Sequence, residues 1–176
     1  IGTVSGTSIS FSTPQNSLSN QYDKSIIYVP SAGKAFYAFR PSSNDALNVG
    51  AIVNNGTSLT FQGAGQAQTV FSTNPAITYD EANDKLVVFF RNVITNRGES
   101  AVGTINTSNP YASWGTLVIW QSSRPDNISS FYDAGSGNVV VVYRSGPTSQ
   151  ARVGTVSGTS ISYGSVAQIA TDTNNL

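Results

Sequence analysis

The sequence predicts an all-β fold of repeated four-stranded antiparallel units, on three observations. The string Gly2-Thr3-Val4-Ser5-Gly6-Thr7-Ser8-Ile9-Ser10-Phe11 returns near the other end as Gly154 to Tyr163, with looser copies from Gly50 and from Gly103. A tyrosine and an arginine recur twelve residues apart, as Tyr28 and Arg40, Tyr79 and Arg91, and Tyr132 and Arg144. The apolar runs are short, β-branched and bounded by turn residues, and no stretch has helical periodicity. The period of about 50 residues is the length of a four-stranded propeller blade.

Each unit reads as four strands. The first ends at the tyrosine, as in Ser25-Ile26-Ile27-Tyr28. A polar turn follows (Pro30 to Gly33, Glu81 to Asp84, Ala134 to Gly137), rich in residues that tolerate positive φ or bond their own backbone. The second strand ends at the arginine and is almost wholly apolar, as in Leu86 to Phe90 and Val139 to Tyr143. Such a run predicts burial on both faces, between neighbouring units. The third strand carries the opening motif, Val49 to Val53 or Arg152 to Val156, and turns back at Ser-Gly or Asn-Gly. The fourth alternates, as in Ser58-Leu59-Thr60-Phe61, which fits an outer, half-exposed strand. Residues 12–24, 62–76 and 121–127 read as polar linkers.

The expected organisation is one repeat domain, 1–176, of about three and a half blades. It divides into a half blade and linker (1–24), two blades (25–74 and 75–126), and a blade with its tail (127–176). The chain begins inside a repeat and stops where the next inner strand would start. A longer parent chain is therefore expected, or an assembly of copies that closes the ring, with Gly164 to Leu176 pairing with a neighbour.

Composition narrows the function. Hydrophobic residues make up 39% of the chain, enough to build a core, and only 10% are charged, nine basic against nine acidic. Phosphate binding needs clustered Lys and Arg, so a nucleic-acid partner is not expected. The longest apolar runs are too short to span a bilayer. There is no Cys and no His, which removes disulfides, thiolate metal sites and the Ser-His-Asp arrangement. No catalytic residue, metal ligand or cofactor is nominated. The abundance of Ser, Thr, Asn and Gly is that of secreted or virion-surface β proteins, so an extracellular location is expected.

The hairpin Tyr132-Asp133 to Arg144 followed by Val153 to Tyr163 resembles the β-propeller repeats of phage tail-associated and large secreted microbial proteins. Tyr79-Asp80 to Arg91 matches the same pattern, and the first unit departs from it, with Val29 in place of the Asp. The resemblance implies a structural or adhesive module, with no assigned active site. Thr107 to Trp114 also resembles a degraded Asp-box, the hairpin motif of sialidase-like propellers, with Asn109 for Asp and Tyr111 for Gly. That motif lies away from the catalytic face, so it supports a fold and not an activity.

Arg40, Arg91 and Arg144 are the sharpest binding candidates. Propeller geometry puts the end of the second strand on the face that usually holds the ligand, and guanidinium grips carboxylate or sulfate bidentately. An arginine repeated at one register equally suits a structural contact between units. Trp120, beside Gln121 and Arg124, suits stacking on a sugar or packing between blades. Asp80 and Asp133 fit turn caps, and Asp80, Glu81 and Asp84 fit a solvated turn or a weak calcium site. Asn55, Asn106 and Asn127 open glycosylation sequons. The rival functions are a fragment of a sialidase-like glycosidase, against which the missing His and unpaired carboxylates count, and a self-assembling scaffold without ligand.

Overall fold

The computed structural model describes residues 1–14, 21–43, 45–56, 58–106, 108–109 and 111–171. In chain order its strands are β1 (Gly2–Ser5), β2 (Ser8–Phe11), β3 (Gln21–Val29), β4 (Lys34–Pro41), β5 (Ala46–Asn54), β6 (Leu59–Asp80), β7 (Lys85–Asn92) and β8 (Arg97–Ile105). There follow β9 (Ala112–Trp114), β10 (Val118–Gln121), β11 (Asp126–Asp133), β12 (Asn138–Ser145), β13 (Thr148–Ser157), β14 (Ser160–Tyr163) and β15 (Ala167–Thr171). The fold is all-β, and among the described residues every pairing is antiparallel and the sheets do not close on themselves.

The pairings form three meanders. The first is β3-β4-β5 and β6 as far as Phe71. The second is β6 from Ser72, then β7 and β8, with β9 and β10 both on the far edge of β8. The third is β11-β12-β13, with β14 and β15 both on the far edge of β13. Because β6 serves two meanders, the first two form one continuous hydrogen-bonded sheet. The strands β3, the later part of β6, and β11 lie beside one another. The hairpin β1-β2 stands apart, with every residue exposed.

Two expectations about linkers are corrected. Residues 62–76 are strand, not linker: Gln62 to Phe71 continue the ladder to β5, and Ser72 opens the ladder to β7. The stretch is polar because one face is wet, and backbone pairing needs no apolar side chain. Three register shifts keep it paired as it curves. Within the tail, Ala167–Thr171 pairs with β13 of its own chain rather than with a neighbour; residues 172–176 lie outside the described residues. So do residues 15–20 of the first linker, Thr107 and Pro110 of the degraded Asp-box, and Thr57 of the first sequon.

The positive-φ residues explain why the sequence turns where it does. Among the described residues there are twelve, and all fall at four recurring places. Asp23, Asn74 and Asn127 sit five residues before each repeat tyrosine, where a bulge interrupts the first pairing of each meander. Gly33, Asp84 and Gly137 close the first turn, Asp45, Asn96 and Gly146 the second, and Gly6, Gly56 and Gly158 the third. Gly, Asn and Asp are the residues that enter the left-handed region at least cost.

The second strand of each meander shows why its sequence is apolar throughout. In β7, Leu86, Val88 and Phe90 pack in a cluster with Phe36, Leu47 and Val49 of the first meander. The alternate residues Val87 and Phe89 pack with Val139, Val141 and Tyr143 of the third. Burying each such side chain is worth roughly 1.5–3 kcal/mol. The expectation of burial on both faces therefore holds for the middle meander. In β12 only one face is covered, and Val140 and Val142 remain half-buried on the other.

The repeat glycine has a steric role. Gly2, Gly103 and Gly154 stand directly across from Phe11, Trp114 and Tyr163. A Cβ on Gly103 would lie 2.8 Å from the Trp114 ring, and one on Gly154 2.9 Å from the Tyr163 ring. The bare backbone lets the aromatic side chain lie flat across the strand.

Candidate functional site

The three repeat arginines occupy equivalent places but have different partners. Arg40 Nη1 donates to Asp45 Oδ1 at 2.7 Å, its Nε lies 3.4 Å from Asp23 Oδ2, and its guanidinium covers the rings of Tyr22 and Phe71. Arg91 ion-pairs with Asp126, joining the second meander to the third. Arg144 pairs with no carboxylate among the described residues, and its Nε donates to the Gly146 carbonyl at 2.9 Å. Two of the three thus make ion pairs within the fold, each with partners of its own.

Of its two expected roles, Trp120 takes packing between units. It is wholly buried, its indole N–H donates to the Glu99 carbonyl at 2.9 Å, and its ring meets Tyr143 and Phe89 edge-on. It belongs to β10, which continues the outer edge of the second meander instead of leaving it as linker, and this turns the ring into the junction with the third meander.

Arg124 is the most exposed of these arginines, with its Nε 3.2 Å from Asp126 Oδ2. It stands one residue before Pro125 and two before β11. Asp126 is in register with Arg144 across β11 and β12, and the bulge after it is made at Asn127. Beyond Arg144, Ser145 enters the tight turn closed by Gly146. These two segments face each other across an open groove of about 690 Å³, lined by Ser123, Arg124, Asp126, Arg144, Ser145, Gly146 and Pro147. Its hydroxyl rim is held in place: Ser123 Oγ and Ser145 Oγ are 3.1 Å apart, and Gln121 Nε2 donates to both.

The groove's lining holds two guanidiniums, Arg124 and Arg144, and one carboxylate, Asp126, which is shared with Arg91 behind it, so that among the described residues positive charge is in excess here. Around Arg40 the balance is reversed, with two carboxylates to one guanidinium. The groove is therefore suited to an anion, held by charge-assisted hydrogen bonds from planar donors and by neutral ones from the serines. Asp126 was not singled out in the sequence. Its signal is its place just before the residue that makes the bulge, five ahead of the tyrosine.

The acidic turn residues serve the fold. Asp80 accepts from the Asn83 backbone and side-chain N–H groups at 3.1 and 2.9 Å, and Asp133 accepts from Gly135 N–H and the Ser136 hydroxyl at 3.1 and 2.7 Å. These bonds hold the Asp133 carboxyl below its ordinary range. Asp84 Oδ1 accepts from Ser31 and Tyr79 hydroxyls at 2.7 and 2.8 Å, which lowers its pKa as well. Among the described residues no group of three or more acidic, His or Cys side chains is placed to hold a metal ion.

No family model matches this chain, and a comparison with curated proteins finds no match.

Proposed function

We propose that this chain is a non-enzymatic, β-propeller-type structural or adhesive module that works outside the cell or on a virion surface and recognises acidic carbohydrate. Support for the propeller reading comes from three meanders in one strand order, each with its first strand beside its neighbours' first strands and its second strand packed across the junction. The observation that carries recognition is the groove between Arg124 and Arg144, which combines an excess of positive charge with fixed hydroxyls. Uronate, sialate and sulfate groups offer planar or clustered anionic oxygens to guanidinium, and the sugar hydroxyls match Ser123 and Ser145.

Titration calorimetry with a uronate or sulfated oligosaccharide, alongside its neutral counterpart, tests this. The acidic sugar is expected to bind and the neutral one to bind at least tenfold more weakly. Arg124→Ala should lower affinity about tenfold or more, the loss of one charged hydrogen-bonding group. Equal affinity for acidic and neutral sugars, or no effect of Arg124→Ala, would overturn recognition by this groove. Turnover of a chromogenic glycoside would overturn the non-enzymatic reading.

A further inference from the structure

The two junctions between meanders use one register. Across the first, Phe36, Ala38 and Val49 of the first meander cover Leu86, Val88 and Ile105 of the second. Across the second, Val87, Phe89 and Val102 of the second cover Val139, Val141 and Val156 of the third. Counted from the repeat tyrosine and glycine, the covering residues are equivalent in both junctions, and so are the covered ones. Each meander thus has a covering face and a covered face.

At the ends of the stack, one face of each kind is left open. The covering face of the third meander carries Phe131, Val140, Val142 and Val153, the counterparts of Ile27, Phe36, Ala38 and Val49; Phe131 is 51% and Val153 46% exposed. The covered face of the first meander carries Ile26, Tyr28, Tyr37 and Ile52, the counterparts of Ile77, Tyr79, Val88 and Ile105. Here Ile26 is 61% and Tyr28 60% exposed, whereas Ile77 and Tyr79 are buried; Tyr37 and Ile52 are covered within their own meander by Phe39 and Phe61. Beside them lies an apolar cleft of about 200 Å³, lined by Ile26, Tyr37, Ile52 and Phe61. Monomers rarely leave apolar patches of this kind uncovered.

We propose that these faces dock on each other between copies, the third meander of one chain covering the first meander of the next. The occupant is a second copy because each face already has its complement in this chain, in a register that the chain uses twice internally. The register also predicts a bond. Ser25 Oγ accepts from Ile77 N–H across the first junction at 3.2 Å, and the equivalent pair between copies is Ser129 and Ile26. The contact is head-to-tail, so it generates a closed ring or an open fibre rather than a two-fold dimer.

Sedimentation equilibrium on the whole chain, from about 1 μM to about 1 mM, tests this. The mass should rise with concentration. Two double variants then separate the faces: Phe131→Asp with Val153→Asp on the third meander, and Ile26→Asp with Tyr28→Asp on the first. These four side chains are exposed, so the folds should survive, which circular dichroism checks. Each variant alone should stay monomeric, and the mixture should form a one-to-one dimer through the two intact faces. A wild-type chain that is monomeric throughout would overturn the proposal and leave these faces to another occupant. So would self-association by either double variant, or a mixture that fails to pair. Arg124→Ala should assemble normally, so loss of glycan binding and loss of assembly are read apart.

Discussion

Trp120 shows how strand pairing decides between the two roles its place in the sequence suits, stacking on a sugar or packing between units. Its neighbours Val118 and Ile119 are half-buried and exposed, an alternation that marks a strand edge, yet the polar residues after Gln121 suggest a linker. Once β10 is paired with β8, the indole must face the third meander. Its place is prepared by Gly98, where a Cβ would meet the ring at 2.6 Å. Trp120→Ala should cost about 3–5 kcal/mol, read as a lower urea midpoint. Trp120→Phe keeps the apolar ring but removes the N–H donated to Glu99, and should cost about 1–3 kcal/mol. If Trp120 instead served ligand binding, Trp120→Ala would abolish glycan binding with the urea midpoint unchanged. By contrast, the Tyr–Arg spacing was fully legible, because a hairpin of fixed length leaves a fixed interval in the sequence. What the arginines bind is not legible, since Asp23 and Asp45 of the first meander and Asp126 of the third sit at different offsets from their repeat tyrosines, and only folding brings them to Arg40 and Arg91.

At the scale of elements, the sequence marks the second strands in full and the outer strands only in part, for one reason. A second strand is specified by side chains on both faces, and Leu86 to Phe90 state this directly. An outer strand such as Gln62 to Phe71 is specified mainly by its backbone ladder, which the sequence does not display. The junctions between elements carry two predictions. Asp84 of the second meander accepts hydroxyls from Tyr79 and from Ser31 of the first, and with Lys85 nearby its carboxyl is held below the ordinary value. Its ionised form is therefore favoured in the folded chain. That contribution is complete above the unfolded carboxylate range and is lost as the pH falls through the folded value. Ser31→Ala should lose less stability than wild type between about pH 5 and pH 2.5, by under about 1 kcal/mol at this exposed site. Urea midpoints across that range measure it, and parallel acid limbs for the two proteins would refute the linkage. Gly115 meets the third turn of the third meander, where a Cβ would collide with the Thr159 carbonyl. Backbone cannot yield as a side chain does, so Gly115→Ala should loosen the second junction and cost about 1–3 kcal/mol by the same measurement.

For the whole molecule, stability comes from meander packed on meander, not from any sheet alone. The hairpin β1-β2 makes the point by contrast. It has nearly the sequence of the hairpin between β13 and β14, and the same pairing, Val4 with Ile9 as Val156 with Ile161. Yet Val156 and Ile161 are buried against the second meander, while Val4 and Ile9 are exposed on a hairpin both of whose strands are exposed throughout. The same residues in the same local structure therefore differ only in having a neighbour. A lone two-stranded hairpin is at best marginally stable in water. Deleting residues 1–14 should therefore leave the urea midpoint of the remaining chain within about 0.5 kcal/mol of the full chain. In the full chain, backbone amides of residues 2–11 should exchange with solvent far faster than those of 154–163, because their opening breaks no packing. Equal protection of the two hairpins would mean that the first is covered by something in solution. If that protection grew with protein concentration, the cover would be another copy of the chain.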